Sequence, residues 1–296
     1  MAGSRKSTIK IALSLLMLIL ISGMSFWSFR DTAAYQPWQP DETTTAHYEP
    51  ETEPVTEPEP EPEPCILEQL EGRKIIALTF DDGPNPYITT AILDFLEQQQ
   101  VLATFFVTGR NTNRWPHIPA RATQFGHQVA NHSYNHRNFT RISSEQRQQE
   151  LRQTDEAIYQ ATGIPSTVTR PPYGSFNRAA QADFTNPLLL WSVDPWDWNT
   201  ECADYVAQHV LERAQDGDII LLHDLYQHTY EATRIIVPAL LERGFVFVTI
   251  DQMLELRGGA EPGEVVRHRH PPAPEPEPTA PEQEEPAPEP ETPVAQ

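Results

Sequence analysis

Short apolar runs alternate with amphipathic segments between residues 74 and 250. Seven of these runs are candidate strands, and most of the seven are nearly continuous in hydrophobicity, which is typical of parallel strands covered on both faces. The predicted strands are KIIALTF (74–80), ATFFV (103–107), HQVAN (127–131), STVTR (166–170), LLLWSV (188–193), DIILL (218–222) and FVFVTI (245–250).

Most segments between these strands carry apolar residues three and four apart, which predicts helices. The helix candidates are TTAILDFLEQQ (89–99), SSEQRQQELRQTDEAIYQATG (143–163), YVAQHVLERA (205–214) and YEATRIIVPALLERG (230–244). The second opens with a Ser143-x-x-Gln146 capping box and closes at Gly163, whereas Pro238 is a candidate kink in the last. Repeated βα units imply right-handed crossovers and an α/β fold. Seven strands suit a barrel slightly short of eight, and an open doubly wound sheet stays an alternative.

Composition divides the chain. Residues 31–64 and 259–296 are rich in Glu-Pro and poor in apolar side chains, so we expect both to be disordered, extended spacers. These tails carry much of the net charge of −21, and residues 65–260 alone come to about −8. The acidity argues against nucleic-acid binding and says little about the folded part, which we expect to span residues 65–258.

The N-terminus predicts a membrane anchor over residues 1–30. Three basic residues, Arg5, Lys6 and Lys10, precede an uncharged run from Ile11 to Phe29. That run is long enough to span a bilayer, and the basic flank predicts a cytoplasmic N-terminus. A cleaved signal peptide is the alternative, which would give a secreted protein. In both cases residues 31–296 face outwards, where Cys65 and Cys202 can form a disulfide or remain two thiols.

Polar clusters follow five of the predicted strands. They are Asp81-Asp82-Gly83, His132 with His136, Arg170-Pro171-Pro172-Tyr173, Asp194-Pro195-Trp196-Asp197-Trp198, and His223-Asp224. Chemistry in α/β folds gathers at the carboxyl ends of strands. One rim of the fold is therefore expected to collect carboxylates, imidazoles, a guanidinium and indoles.

The pair in HSYNH (132–136) is weak by itself. A spacing of four can place two imidazoles on one face of a helical turn, where both could bind one metal ion. For an isolated HxxxH, a polar surface turn is the more common explanation. The pair needs a third ligand before it predicts a metal site.

Five motifs, in order along the chain, place this histidine pair among other candidate site residues. TFDDG (79–83), HSYNH (132–136), RPPY (170–173), DPWDW (194–198) and LLH (221–223) resemble the motifs of the polysaccharide deacetylase family, the NodB-homology group or carbohydrate esterase family 4. The resemblance covers roughly residues 70 to 255. It implies a deformed (β/α) barrel of about seven parallel strands and metal-dependent removal of acetyl groups from sugar polymers.

The resemblance also assigns residues. It makes Asp82, His132 and His136 the ligands of one divalent metal ion, for which Zn²⁺ is expected and Co²⁺ or another ion is an alternative. Asp81 becomes the general base and Arg170 its orienting partner. His223 becomes the general acid, with Asp197 stabilising its imidazolium.

Three further residues are expected to shape the substrate groove. Tyr173 offers a backbone N–H to the oxyanion, Trp198 and Tyr173 offer flat faces to a sugar, and Leu221 lines the pocket for the acetyl methyl group. Core packing explains Trp198 and Leu221 nearly as well.

The resulting hypothesis is a membrane-anchored, extracytoplasmic enzyme that removes acetyl groups from N-acetylglucosamine of peptidoglycan. Deacetylation of chitin oligomers or of O-acetylated xylan stays an alternative, and so does a non-catalytic wall-binding protein. The expected partners are the cell-wall polysaccharide and the membrane. Nucleic acid is not expected as a partner. The sequence does not distinguish glucosamine from muramic acid, and it leaves protein partners unknown.

Overall fold

Strands and helices alternate through residues 70–271, the part of the chain that this computed structural model describes. Its strands are β1 (Lys74–Asp81), β2 (Thr104–Val107), β3 (Gln128–Asn131), β4 (Leu188–Leu189), β5 (Ile219–His223), β6 (Phe245–Phe247) and β7 (Val265–Val266). Its α-helices are α1 (Ile88–Gln99), α2 (Gly109–Arg114), α3 (His117–Gln124), α4 (Ser144–Thr162), α5 (Arg178–Gln181), α6 (Ala203–Arg213), α7 (Gln227–Glu242) and α8 (Ile250–Leu256). This order confirms the predicted α/β architecture.

The strands form a parallel barrel whose closure is incomplete. β3, β2, β1 and β5 pair in that order, and β6 pairs with the first half of β1. Isolated parallel bridges continue the circuit from Asn131 to Thr169, from Thr169 to Leu188, and from Val193 to Ile220. The ring thus returns from β3 to β5 through short, broken contacts. The deformed barrel is confirmed over the open doubly wound sheet.

The predicted strand at 166–170 is wrong in extent, because only Thr169 makes ladder contacts. Pro165 precedes this segment and Pro171 follows it, and proline has no N–H to donate to a ladder. Residues 166–170 therefore have side chains suited to a strand, but they extend along the barrel wall with little regular pairing.

Two other predicted strands are shorter than expected. In the run 188–193, Leu188–Leu189 form a strand and Val193 an isolated bridge. The N–H groups of Ser192 and Val193 both donate to the Ile219 carbonyl, which interrupts regular pairing there. The run 245–250 ends as a strand at Phe247, because Thr249 caps α8 in a capping box with Gln252.

The predicted helices lie close to α1, α4, α6 and α7. At the start of α4, Ser143 Oγ accepts the Gln146 N–H at 3.3 Å and Gln146 Oε1 accepts the Ser143 N–H at 3.1 Å. Gly163 ends the helix in a left-handed conformation with φ 73°. This confirms the capping box and the terminal glycine, whose missing Cβ permits that φ.

Alternate strand residues face two separate hydrophobic layers. Inward-facing residues such as Ile75, Ala77 and Ile219 pack inside the barrel, where Ile250 and Met253 of α8 join them. Outward-facing residues pack beneath the surrounding helices, among them Ile76, Leu78, Phe80, Ile220 and Leu222. Asp81 and His223 are the last inward-facing residues of β1 and β5. Because side chains alternate along a strand, both therefore lie at the barrel mouth.

The folded part extends beyond its predicted end at residue 258. Val265–Val266 form β7, which pairs in parallel with β4, and Val266 is fully buried. The Arg269 N–H donates to the Gly217 carbonyl at 2.7 Å. The segment up to residue 271 therefore belongs to the barrel and not to the Glu-Pro tail, because its two valines supply apolar surface that the tail lacks.

Several predictions concern residues outside the described part. The anchor at 1–30, the spacer at 31–64, the tail from residue 272 and Cys65 all lie beyond residues 70–271. Cys202, within that range, is exposed at the N-cap of α6. In the described range no helix has both the length and the apolar composition needed to cross a bilayer.

Candidate active site

The carboxyl ends of the barrel strands bring the predicted polar residues together. Asp81 ends β1, His132 follows β3, and His223 ends β5. In the register of the sheet, Asp81 pairs with His223. Arg170 follows the bridge at Thr169, and its side chain is fully buried. The mouth of the barrel therefore holds acidic, basic and imidazole groups within direct contact of one another.

Among the described residues, one cluster of side chains has the composition of a metal site. It consists of Asp82, His132 and His136, with one donor atom from each within 4.8 Å of the others. Asp82 Oδ1 lies 3.3 Å from His132 Nε2 and 3.1 Å from His136 Nε2. That oxygen is buried without a hydrogen-bond partner. An unsatisfied carboxylate oxygen facing two imidazole nitrogens fits a divalent ion, and this mixed N/O set suits Zn²⁺.

The two histidines do not share a helical turn, which their spacing of four permitted but did not require. Residues 132–136 form a loop in which Ser133 and His136 have positive φ values of 65° and 56°. His132 Nδ1 is 2.8 Å from the Arg170 carbonyl, which leaves Nε2 to face Asp82. The ring centroids of the two histidines are 5.0 Å apart. The loop, rather than helical periodicity, brings both rings to Asp82.

The electrostatics of the cluster favour a cation. Burial opposes ionisation of Asp82, but the neighbouring imidazoles of His132, His136 and His223 lower its pKa to about 2. Burial opposes the charged form of His132 too, yet the carboxylates of Asp81 and Asp82 leave its pKa raised. Two carboxylates thus attract positive charge to this point. A divalent ion supplies that charge while the imidazoles bind in their neutral form.

Asp81 is held by a buried ion pair. Arg170 Nη1 lies 2.6 Å from Asp81 Oδ1 and 2.8 Å from Thr79 Oγ1. Arg170 Nε donates to the Leu189 carbonyl at 3.2 Å, and Nη2 donates to the Leu190 carbonyl at 2.9 Å. Arg170 therefore has one available position, and it fixes Asp81 with Oδ2 turned towards His132 at 3.6 Å.

His223 and Asp197 form a second dyad. His223 Nδ1 lies 2.8 Å from Asp197 Oδ1, and the His223 backbone N–H donates to Asp197 Oδ2 at 2.7 Å. Burial opposes the charged imidazole, but the hydrogen bond and charge of Asp197, with Asp81 and Asp82, raise the pKa of His223 to about 9. With Nδ1–H directed at Asp197, the Nε2–H of the imidazolium is free to be donated.

Two threonines complete these networks and were missed in the sequence. Thr79 accepts a hydrogen bond from Arg170 and donates one to the Ile220 carbonyl at 2.6 Å. Thr229, in the first turn of α7, donates to Asp197 Oδ2 at 2.8 Å. Thr79 lies two residues before Asp81 on β1 and so shares its inward face. The alternation of side chains along a strand could therefore have revealed it. Thr229 carries no comparable signal, because the packing of α7 alone brings it to Asp197.

The predicted groove residues differ in exposure. Tyr173 is 64% exposed, has φ 62°, and its ring centroid is 4.5 Å from that of His136. Trp198 is 52% exposed, so it is not a core aromatic. Leu221 is 2% exposed and precedes His223 on the inward face of β5. Two aromatic faces therefore remain open to solvent near the mouth, and Leu221 closes the barrel beneath it.

Known proteins share this sequence pattern. The family model described as polysaccharide deacetylase matches residues 69–186. The peptidoglycan-N-acetylmuramic acid deacetylase PdaC of Bacillus subtilis is 37% identical over 185 residues, which cover 62% of this chain and 40% of that protein. The peptidoglycan-N-acetylglucosamine deacetylase PgdA of Listeria monocytogenes is 38% identical over 180 residues, covering 61% of this chain and 39% of that protein. The chain spans about two fifths of the length of these two relatives.

Solved structures share the fold. The structure of Bacillus subtilis PdaC matches with a TM-score of 0.61 at 37% identity, covering 62% of this chain and 92% of that chain. A family 4 acetyl xylan esterase from Clostridium thermocellum, solved in complex with a cobalt ion, matches with a TM-score of 0.63 at 31% identity. That match covers 66% of this chain and 98% of the esterase chain.

Proposed function

Because this chain belongs to the polysaccharide deacetylase family, we propose that it removes acetyl groups from peptidoglycan by metal-dependent hydrolysis and releases acetate. The preferred target is N-acetylglucosamine. One observation carries the proposal: a metal-ligand triad, an ion-paired carboxylate and a histidine–aspartate dyad share one barrel mouth. Together these groups can polarise the acetyl carbonyl, accept a proton from water and protonate the departing amine, which are the steps that metal-dependent hydrolysis of an acetamide uses.

Asp82, His132 and His136 would hold the ion, for which we favour Zn²⁺. When bound there, a divalent ion supplies Lewis acidity that polarises the acetyl carbonyl and lowers the pKa of water. Cobalt is a plausible substitute, since the related esterase from Clostridium thermocellum was solved with a cobalt ion.

In this proposal Asp81 accepts the proton of the attacking water. Arg170 occupies its Oδ1, so Oδ2 is the oxygen that faces the triad. Arg170 also keeps the base in one orientation, because the backbone carbonyls of two neighbouring residues fix its guanidinium. Adjacent carboxylates thereby take separate roles, Asp82 as ligand and Asp81 as base.

His223 is placed to protonate the departing amine. An amide nitrogen cannot leave as an anion, so the carbon–nitrogen bond breaks only as the nitrogen gains a proton. The pKa of His223, raised to about 9, keeps the imidazolium populated at neutral pH. Asp197 retains the Nδ1–H while Nε2 gives up its proton, and Thr229 holds Asp197 in place.

The groove residues complete the assignment. The backbone N–H of Tyr173 is proposed to stabilise the oxyanion, and Leu221 to contact the acetyl methyl group. The exposed rings of Tyr173 and Trp198 offer apolar faces to a sugar. Such faces suit a polymer that lies across the barrel mouth.

The same site would also accept an O-acetyl ester, and the similarity to an acetyl xylan esterase supports that as the second candidate. An alkoxide leaves more readily than an amide anion, so the raised pKa of His223 favours the amide substrate. The ratio of initial rates on peptidoglycan and on acetylated xylan separates the two candidates.

We also propose that the chain is anchored in the cell membrane through residues 11–29, with the barrel outside. The basic N-terminal flank and the Glu-Pro spacer at 31–64 support this arrangement, because a tethered enzyme must reach a polymer at some distance from the bilayer. Secretion after signal cleavage is the alternative. Membrane fractionation of the expressed chain, with N-terminal sequencing, distinguishes them.

Metal removal tests the mechanism. We expect acetate release from purified peptidoglycan to fall at least 100-fold after exhaustive chelation, because water activation and carbonyl polarisation are both lost. Stoichiometric Zn²⁺ should restore it. The variant His132→Ala should fail to recover under the same conditions. Full activity after verified metal loss would exclude the proposed mechanism.

A further inference from the structure

The loop that carries the two histidine ligands has a strained backbone. Residues 132–136 adopt neither helix nor strand, and both Ser133 and His136 lie in the left-handed region. Non-glycine residues pay a conformational cost there, so surrounding contacts must hold them. The loop needs this shape, since it turns His136 Nε2 towards Asp82 at 3.1 Å.

Helix α4 supplies one such contact through Glu150. This carboxylate is only 4% exposed, and both of its oxygens accept hydrogen bonds from Asn135. Oε2 accepts the backbone N–H at 2.6 Å and Oε1 accepts the side-chain Nδ2–H at 3.1 Å. A bidentate, charge-assisted contact fixes both the peptide and the side chain of the residue that immediately precedes His136.

The opposite end of the loop is tied to the same helix. Asn131 Nδ2 donates to the Leu151 carbonyl at 3.0 Å and to Asp155 Oδ1 at 2.7 Å. Asn131 Oδ1 then accepts the Ser133 N–H at 2.9 Å. These bonds hold the His132 side of the loop, and Glu150 holds the His136 side.

We propose that Glu150 is a positioning residue for the metal site, acting through Asn135 on His136. The inference rests on the proposed metal-dependent function and assigns part of its geometry to a side chain that is not itself a ligand. Outer partners that orient metal ligands typically change metal affinity by about 10- to 100-fold when they are removed. Loss of the Glu150 contact frees His136 to leave the left-handed conformation and turn from Asp82.

A purely structural role makes a different prediction. If Glu150 only anchors α4, its replacement lowers the stability of the protein but leaves metal affinity unchanged wherever the protein is folded. A positioning role changes metal affinity and coordination geometry in the folded state. Metal binding, rather than activity, therefore separates the two.

The test titrates the metal-free full-length chain with Co²⁺, reading the visible absorption of the bound ion and competing with a chelator. For Glu150→Gln, which keeps the shape but replaces one acceptor oxygen with an amide donor, we expect a Co²⁺ dissociation constant about 10- to 100-fold higher. We also expect an altered absorption spectrum. The matched control is Glu156→Gln on the exposed side of α4, which should bind like wild type.

The outcomes separate the inference from the function on which it rests. Wild-type affinity and an unchanged spectrum in a folded Glu150→Gln protein would overturn the inference and leave the metal site standing. Absence of Co²⁺ binding by wild type would overturn both. Should Glu150→Gln not fold, Asn135→Ala replaces it, because this exposed residue loses only the Oε1 bond and should still weaken binding measurably.

Discussion

At the scale of single residues, the site depends on a reversal of side-chain direction at the end of β1. Adjacent strand residues point to opposite faces, so Asp81 and Asp82 could not both face the barrel mouth on a regular strand. Asp82 has φ 75°, which turns its carboxylate back towards the same side. The motif indicated both acidic residues, but periodicity could not have revealed this turn.

The next residue is constrained by close packing. A Cβ on Gly83 would lie 2.2 Å from the Asp224 carboxylate, which is buried and accepts a hydrogen bond from Thr89. Glycine is therefore required at this position for space. The need for glycine here comes from Asp224, which follows β5 and lies over a hundred residues away in the sequence.

The acid dyad makes a pH prediction. Activity needs protonated His223, so it falls as pH rises through the pKa of that residue, which is about 9 without the ion. A bound cation offsets the charges of Asp81 and Asp82, so we expect the alkaline limb between 6.5 and 9. Asp197→Asn removes the largest contribution that raises the pKa of His223. The alkaline limb of the kcat/KM profile should therefore move down by about 1 to 2 pH units.

Asp204→Asn is the matched control for that measurement. It removes an exposed carboxylate from the first turn of α6 and should leave the profile in place. An alkaline limb that does not move in Asp197→Asn would contradict the assignment of His223 as the general acid.

At the scale of elements, sequence patterns predicted those features that interactions between neighbouring residues determine, such as helix ends. Capping and spacing placed α4 within a residue at each end, because Ser143, Gln146 and Gly163 act on their own neighbours. The run at 166–170 failed as a strand, since its β-branched side chains indicate β propensity and not pairing. HSYNH forms a loop and not a helical turn, because its conformation is set by α2 and α4, which lie elsewhere in the chain.

The capping box gives a stability prediction. Ser143→Ala removes the side-chain acceptor at the N-terminus of α4, and the free energy of unfolding should fall by about 1 kcal/mol. Ser143→Asp restores an acceptor and should return most of the loss. Urea denaturation of the metal-free chain measures both. A Ser143→Ala midpoint equal to that of wild type would show that the cap contributes no net stability.

At the scale of the whole molecule, the sequence predicted an α/β unit ending at residue 258, and the structure continues the barrel to β7 beyond that residue. Composition located the change to proline-rich sequence but could not show that Val266 fills the barrel beside β4. The acidic tails dominate the net charge of the chain, whereas the barrel mouth concentrates its own charges in ion pairs and dyads.

The corrected boundary is testable by truncation. Ending the chain after residue 258 removes β7 and uncovers Leu188–Leu189, which are fully buried, so we expect a much less stable or insoluble protein. Ending it after residue 271 should leave the thermal unfolding temperature unchanged. Equal unfolding temperatures for the two truncations would show that residues 259–271 do not belong to the folded unit.

The central claim is metal-dependent removal of the N-acetyl group of glucosamine in peptidoglycan. Its most direct test is mass spectrometry of muropeptides from purified peptidoglycan after treatment with the full-length, Zn²⁺-loaded chain. The account predicts loss of an acetyl group from the glucosamine residues, and no loss with chelated enzyme or with His132→Ala. Unchanged muropeptides under verified metal loading, or acetyl loss confined to muramic acid, would contradict it.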